Sequence, residues 1–454
     1  MPAFAAASPS RRAVLASTGA TAAGIVAGCS SSPSARGPQG LLVDEHVDIR
    51  DYGAVPNGPD CTSAINTALA AVSQARARYG RIRIPRGLWH VSGALEYGPD
   101  GGESRSFTME GDTPSGGTSD GSVIYWAPGS SGYAVLNVTG AWNVLLRNFN
   151  LGPQSAASAS AGHIACNIAG SSWLRLENVN IYGTGPGSPA GGAATGLVVA
   201  PDGSGSIHAC DIEAQVTAFQ MSSGATGCAI TNSLFQAVRG NGGACCQIHG
   251  SAGAMDLTNV ITESGDYGVQ MISDGVGVPE FLFMNNVQVN NPGIAAGDFA
   301  NGSQVFANQF WATANDLDTD LVHGLNFHSA FLGGAYFTNV NIGAFGGHGI
   351  WIQGGTGYTF LGGNVGGCGK NAADSYDDIH VASAVGSGVV TLQGIHFDTD
   401  PWTGLSSPPA RSAVNIESGA VNVVATGNIW KASGYAARPV VGTLHTASGG
   451  NAAV

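Results

Sequence analysis

Charge of either sign is scarce in this chain. Of 454 residues only 17 are Lys or Arg and 30 are Asp or Glu, which leaves a formal net charge of -13. Phosphate backbones are held by clustered cations, so nucleic acid is excluded as the main partner. Long apolar runs are missing after the first thirty residues, and a bilayer-spanning helix needs about 20 such residues in a row. The eight cysteines include no Cys-x-x-Cys pair, which removes zinc knuckles and dithiol redox motifs. Glycine-rich stretches such as 183–192 lack Gly-x-x-x-x-Gly-Lys, so no phosphate cradle is expected there. Glycine itself is abundant: 70 residues, against a usual share of about 7%, with no collagen triplet. The composition is that of a chain with very many turns.

The first residues read as an address. Arg11 and Arg12 precede an apolar stretch from Ala13 to Ala27 that is too short to stay in a bilayer, and Val26-Ala27-Gly28-Cys29 follows. Residues 1–28 resemble a twin-arginine signal peptide. Cys29 resembles the lipidated cysteine of a bacterial lipobox, with 29–42, rich in Ser, Pro and Gly, as the tether. The alternative is ordinary cleavage with an incidental Cys29. Either way the expected location is outside the cytoplasm, in the periplasm or at the cell surface, held to the membrane only by a lipid. The seven later cysteines are expected to be small buried apolar residues.

The next segment has a specific order. Tyr52-Gly53-Ala54 leads to Asp60-Cys61-Thr62-Ser63-Ala64-Ile65, then to apolar positions Ala68, Leu69 and Val72 at helical spacing with Asp60 as N-cap, then to Ile82-Arg83-Ile84-Pro85-Arg86-Gly87. This order resembles the opening of the pectate-lyase-like superfamily. The resemblance covers about residues 47–95 and implies a right-handed single-stranded parallel β-helix with an N-terminal capping helix. It does not specify a reaction. Pro59 departs from the polar residue more usual there.

Stacked coils should repeat at 20 to 35 residues, and two registers do. In one, apolar-x-apolar-x-Asn recurs at Asn148, Asn178, Asn232, Asn259, Asn285 and Asn339, with Asp211 in the same frame and Asn308 fitting less well. Such asparagines pair their amides along the axis. In the other, apolar-x-apolar triplets recur around Asn137, Asn167, Val198, Gln220, Gln247, Gln270, Asn326, Trp351, His380 and Asn415. Alternation turns the middle residue outward. One coil is missing between Gln270 and Asn326 and is expected near Ala295. The count is about eleven coils over 43–431, an all-β domain, with 432–454 as a C-terminal cap or disordered tail.

Residues at matching positions of successive coils become neighbours about 4.8 Å apart. Three places ahead of the middle position stand His323, His348 and Asp377, with Asp320 and Asp378 close by and Asp266 some coils earlier. Trp351 would offer a sugar ring a flat partner, beside Gln270, Asn326 and His380. His249 and His328 share another row. From 183 to 409 the only Lys or Arg are Arg239 and Lys370. Superfamily lyases use such cations against acidic polymers, so cleavage of a glycosidic bond by two carboxylates drawn from Asp266, Asp320, Asp377 and Asp378, with His323 and His348 sharing protons, is the favoured expectation. Gly347-His348-Gly349 resembles one motif of the polygalacturonase-type hydrolases, but their other motifs are absent. No cofactor is required; calcium at an acidic cluster such as Asp316, Asp318 and Asp320 is allowed. A lyase or epimerase of uronate glycans and a non-catalytic glycan-binding protein are the alternatives. The fold also serves trimeric tailspikes, which leaves a homotrimer open.

Overall fold

In a computed structural model the described residues are 47–74, 79–98, 105–114, 121–126, 134–153, 163–182, 193–314, 321–370, 375–385, 388–398, 410–420, 422–430, 435, 437, 439–445 and 448–453. The expected signal peptide, Cys29 and its tether, and Asp316, Asp318 and Asp320, lie outside them.

Every strand pairing is parallel, and strand follows strand around a right-handed parallel β-helix. One face is a 13-stranded ladder; the other ladders merge into a 23-stranded sheet. All ten triplets found in the sequence are rungs of the 13-stranded ladder. Their middle residues run in one row, from Asn137 through Asn167, Val198, Gln220, Gln247 and Gln270. The expected extra coil is Ala295–Phe299, which pairs with Tyr267–Ile272 on one side and His323–Phe327 on the other. Leu95–Tyr97 adds a rung at the start and Val440–Val441 one at the end.

The sheets turn where the chain adopts a left-handed conformation. Asn148, Asn178, Asn232, Asn259 and Asn339 have φ between 51° and 60°. Asn tolerates this conformation better than other residues with a side chain. Their amides also hydrogen-bond up the stack: Asn259 donates to Asn232 at 3.2 Å and Asn286 to Asn259 at 2.9 Å. Two expectations are corrected here. The ladder residue is Asn286, at φ 53°, while Asn285 sits one place off and accepts from Asn308. Asp211 is displaced too: Ala209 takes the left-handed corner at φ 52°, and Asp211 pairs with Asn180 instead.

Inside, Ile, Val, Leu and Phe from every rung form one continuous core. Phe299 and Phe327 stack at 4.7 Å between ring centroids, and Phe327 meets Tyr358 at 5.1 Å. Burial of each such side chain contributes roughly 1.5 to 3 kcal/mol. Seven cysteines from Cys61 to Cys368 are free and buried, as expected, and burial holds the Cys166 thiol up at about 12. At the N-terminal end the helix Thr62–Gln74 covers the core with Ile65, Ala68, Leu69 and Val72. Asp60 accepts the Thr62 backbone N–H at 2.9 Å and the Ser92 hydroxyl at 2.7 Å, which fixes helix to first coil.

Candidate functional site

Four consecutive rungs present Asp298, Asn326, Trp351 and His380 side by side, with Asn415 on the fifth. The row begins as a chain of hydrogen bonds. Gln247 donates to Gln270 at 2.7 Å, Gln270 to Asp298 at 3.1 Å, and Asn326 to the other oxygen of Asp298 at 3.1 Å. His328 reaches that same oxygen at 2.7 Å. Gln270 and Asn326 are therefore largely buried members of a polar network around Asp298, which the sequence reading did not single out.

His323, His348 and Asp377 step up the solenoid together. The backbone N–H of His348 donates to Nδ1 of His323 at 3.0 Å, and the backbone N–H of Asp377 donates to Nδ1 of His348 at 3.0 Å. In each neutral ring the remaining proton then sits on Nε2. Burial depresses both imidazoles, His323 to about 4 and His348 to about 3, the latter helped by nearby His380. The two rings lie nearly parallel at 5.7 Å, and Trp351 packs on both, at 5.0 Å from His323 and 5.4 Å from His348. Trp351 is half-buried and its indole N–H has no partner.

Gly347 and Gly349 flank His348 for steric reasons. A Cβ at Gly347 would come within 2.7 Å of the His323 ring, and one at Gly349 within 2.6 Å of the Asp378 carbonyl. Contacts that short force the neighbours to move, so the tripeptide follows from packing.

Asp377 anchors the far end. Arg411 grips its two oxygens, Nε at 2.9 Å and Nη2 at 2.5 Å, and Asn415 donates to it at 3.1 Å. His380 lies between two carboxylates, Nδ1 at 2.9 Å from Asp377 and Nε2 at 3.1 Å from Glu417. Burial pushes the Asp377 carboxyl up, but its bonds to His380 and Arg411 and the Arg411 charge outweigh that and hold it below the usual value. Glu417 is also held low, chiefly by the Ser383 backbone N–H, and is 44% exposed. The arrangement is a line of hydrogen bonds from Asp377 through His380 to the exposed Glu417, with Arg411 fixing the Asp377 end.

Two expected acids do not join this group. Asp378 points the other way, into the core, where Cys368 N–H and the Tyr435 hydroxyl bond it and burial drives its carboxyl well above the usual range. A carboxylic acid kept neutral in the core cannot serve the groove. Asp266 caps a turn: it accepts the backbone N–H groups of Gly240, at 2.7 Å, and Gly242. Of the expected acids in the described residues, only Asp377 stands in the groove; Asp320 lies outside them. Asp377 and Glu417 are joined through the His380 ring, which bonds one carboxylate by Nδ1 and the other by Nε2.

His348, Asp377 and His380 could offer a metal ion three donor atoms within 4.8 Å of one another. Their donors are already satisfied: Arg411 occupies Asp377, and His348 Nδ1 accepts a backbone N–H. An ion would have to displace both, so the residues fit a protein-only relay better.

The fold and this groove define a right-handed parallel β-helix with a polar, histidine-lined face. The sequence matches no described family and no curated protein. Solved structures share the fold. The N-terminal fragment of gene product 12 of bacteriophage Phi29 aligns over 90% of this chain and 70% of its own, with TM-score 0.61 and 13% identity. DFA-IIIase from Arthrobacter chlorophenolicus A6 aligns over 89% and 99%, with TM-score 0.54 and 14% identity. The A-module of a mannuronan C-5 epimerase from Azotobacter vinelandii aligns over 90% and 99%, with TM-score 0.53 and 13% identity.

Proposed function

We propose that the protein is an exported polysaccharide-cleaving enzyme that works in this groove, with Glu417 exchanging protons with the substrate or an attacking water, His380 relaying them and Asp377 orienting His380. The carrying observation is the hydrogen-bonded line from Arg411 through Asp377 to His380, the rung neighbour of Trp351, and on to the exposed Glu417. Neutral His323 and His348 direct Nε2–H donors that suit sugar hydroxyls. Hydrolysis of an uncharged glycan is favoured over attack on a polyuronate. Arg411 is the one Lys or Arg bonded into the cluster among the described residues, and it is committed to Asp377. A net charge of -13 also repels acidic polymers. One of the fold neighbours is an epimerase of mannuronan, which makes a polysaccharide the natural first substrate. Export through the twin-arginine route and a lipid on Cys29 belong to the same proposal.

The test incubates the protein with neutral and acidic polysaccharides, with and without calcium, following reducing ends and absorbance near 235 nm (roughly the unsaturated uronate band). New reducing ends without absorbance, lost in Glu417→Gln, support the reading. Absorbance rising with the reducing ends assigns a lyase, and no product on any polymer removes the enzymatic reading.

A further inference from the structure

A second feature lies at the other end of the solenoid, on the other sheet. Trp142 and Trp173 are 57% and 67% exposed, among the most exposed large side chains of the described surface. They border a cleft of about 620 Å³ shared with Asn143, Arg175, Ser204 and Ser206.

Two separate backbone distortions aim these indoles outward. The strand Ala141–Arg147 pairs with Arg105–Gly111 through a register shift: Arg105 pairs with Ala141 and Ser106 with Asn143, so Trp142 is the extra residue. A bulge of this kind re-aims a side chain. Trp173 has φ +63°, a conformation a bulky residue rarely adopts and that costs roughly 1 to 3 kcal/mol. In the strand Leu174–Glu177, which begins directly after Trp173, Leu174 and Leu176 point inward and are fully buried, and Leu174 pairs with Val144 and Gly205. Water gains nothing from two exposed indoles, and each exposure opposes the hydrophobic effect.

We infer that the cleft between Trp142 and Trp173 is a second saccharide-binding site, separate from the histidine groove, that holds a neutral sugar chain by stacking on the two indoles. An indole face matches the C–H face of a pyranose ring, while Asn143, Arg175, Ser204 and Ser206 supply the donors and acceptors its hydroxyls need. The identity of the polymer rests on the proposed function; the existence of the site does not. Seven rungs separate the rung after which Trp142 falls from the one carrying His323. At 4.8 Å per rung that is an offset of roughly 34 Å along the solenoid.

The test uses the full chain in affinity electrophoresis through gels containing laminarin, xylan, galactomannan or amylose, with turnover measured on short soluble oligosaccharides. The wild type is expected to be retarded by at least one of these polymers. The Trp142→Ala/Trp173→Ala variant should lose that retardation at least tenfold while its turnover of oligosaccharides stays within twofold. Glu417→Gln should do the reverse, which separates failure of this site from failure of the enzymatic reading. Because Trp173→Ala changes a left-handed position, Trp142→Phe/Trp173→Phe is the folding control and should retain part of the retardation. Equal retardation of wild type and double Ala variant overturns the inference, as does absence of retardation by every polymer. So does a wild-type dimer in sedimentation that the Ala variant abolishes, since the indoles would then belong to a contact between copies.

Discussion

Asp377 and Asp378 are adjacent in sequence, just ahead of the strand Ile379–Val381, and point opposite ways, Asp377 bound by Arg411 in the groove and Asp378 by Tyr435 and Cys368 in the core. The bend just ahead of the strand gives them opposite chemistry: Asp377 is held ionised by a guanidinium, Asp378 held neutral by burial. Asn is a near isostere of a protonated Asp, so Asp378→Asn should fold normally and keep its activity. Asp377→Asn should leave Nδ1 of His380 without its charged partner, Glu417 remaining on Nε2, and reduce turnover by 10²-fold or more. Comparing kcat of the two variants, with melting curves for both, checks this.

The Glu417 carboxylate bonds His380 and the Ser383 backbone N–H and is 44% exposed. Its replacement by Gln should therefore leave the melting temperature nearly unchanged while lowering kcat by 10²- to 10⁴-fold. Since Glu417 is held below the ordinary carboxylate value, the acid limb of the wild-type rate profile should lie below about pH 4.3, the usual Glu value. An acid limb near neutrality would assign the rate to another group.

Arg411 lies just beyond the cation-poor stretch 183–409 and neutralises a fully buried carboxylate. Removing one partner of such a pair strands the other charge, which typically costs about 3 to 5 kcal/mol. Arg411→Ala should lower denaturant stability by that order. Arg411→Lys should recover part of it, because an ammonium cannot bond both oxygens as a guanidinium does. Equal midpoints for Ala and wild type would show that Asp377 needs no counter-charge.

The rows legible in the sequence were those set by two-residue alternation. His323, His348 and Asp377 fall on successive rungs because three places ahead of an outward residue is a fixed position in every coil, and Gln270, Asn326, Trp351 and His380 share the row for the same reason. Asp298 was hidden because Gly297 stands where an apolar residue marks the rung; a Cβ there would come within 2.8 Å of Leu325. Its signal was spacing alone, 28 residues from Gln270 and from Asn326. Arg411 and Glu417 come from the coil 34 and 37 residues further on and reach Asp377 and His380 through turn conformations that no triplet records. Asp378 has the parity of the outward His380, but the bend ahead of the strand Ile379–Val381 breaks the alternation and sends it into the core, which no spacing in the sequence records.

The asparagine corner gives a separable test of the fold. Asn259 combines φ 53° with hydrogen bonds to both neighbours in the stack. Asn259→Ala keeps the strained conformation without either bond and should cost about 1 to 2 kcal/mol. Asn259→Gly loses the bonds but relieves the strain, and should cost less than Ala despite its greater unfolded-state entropy. The opposite order in urea denaturation would mean that the amide ladder, not the corner conformation, is what the residue supplies.

The paired histidines make stability depend on pH in a defined window. His323 and His348 have folded-state values near 4 and 3, set first by burial, while an unfolded imidazole titrates near 6.5. As pH falls below 6.5 the unfolded chain takes up these protons and the folded chain does not, so stability is complete above that value and declines down to the folded values. Each pH unit inside the window costs about 1.4 kcal/mol per histidine. The melting temperature should fall steadily between pH 6.5 and 4, and the slope should flatten in His323→Gln/His348→Gln, whose amides can still accept the two backbone N–H groups. Imidazole resonances of the wild type should show Nε2 protonated and no titration of either ring above pH 5. A ring that titrates near 6.5 in the folded protein would mean that its Nδ1 is not held by the backbone, and the stepwise chain from His323 to Asp377 would lose that link.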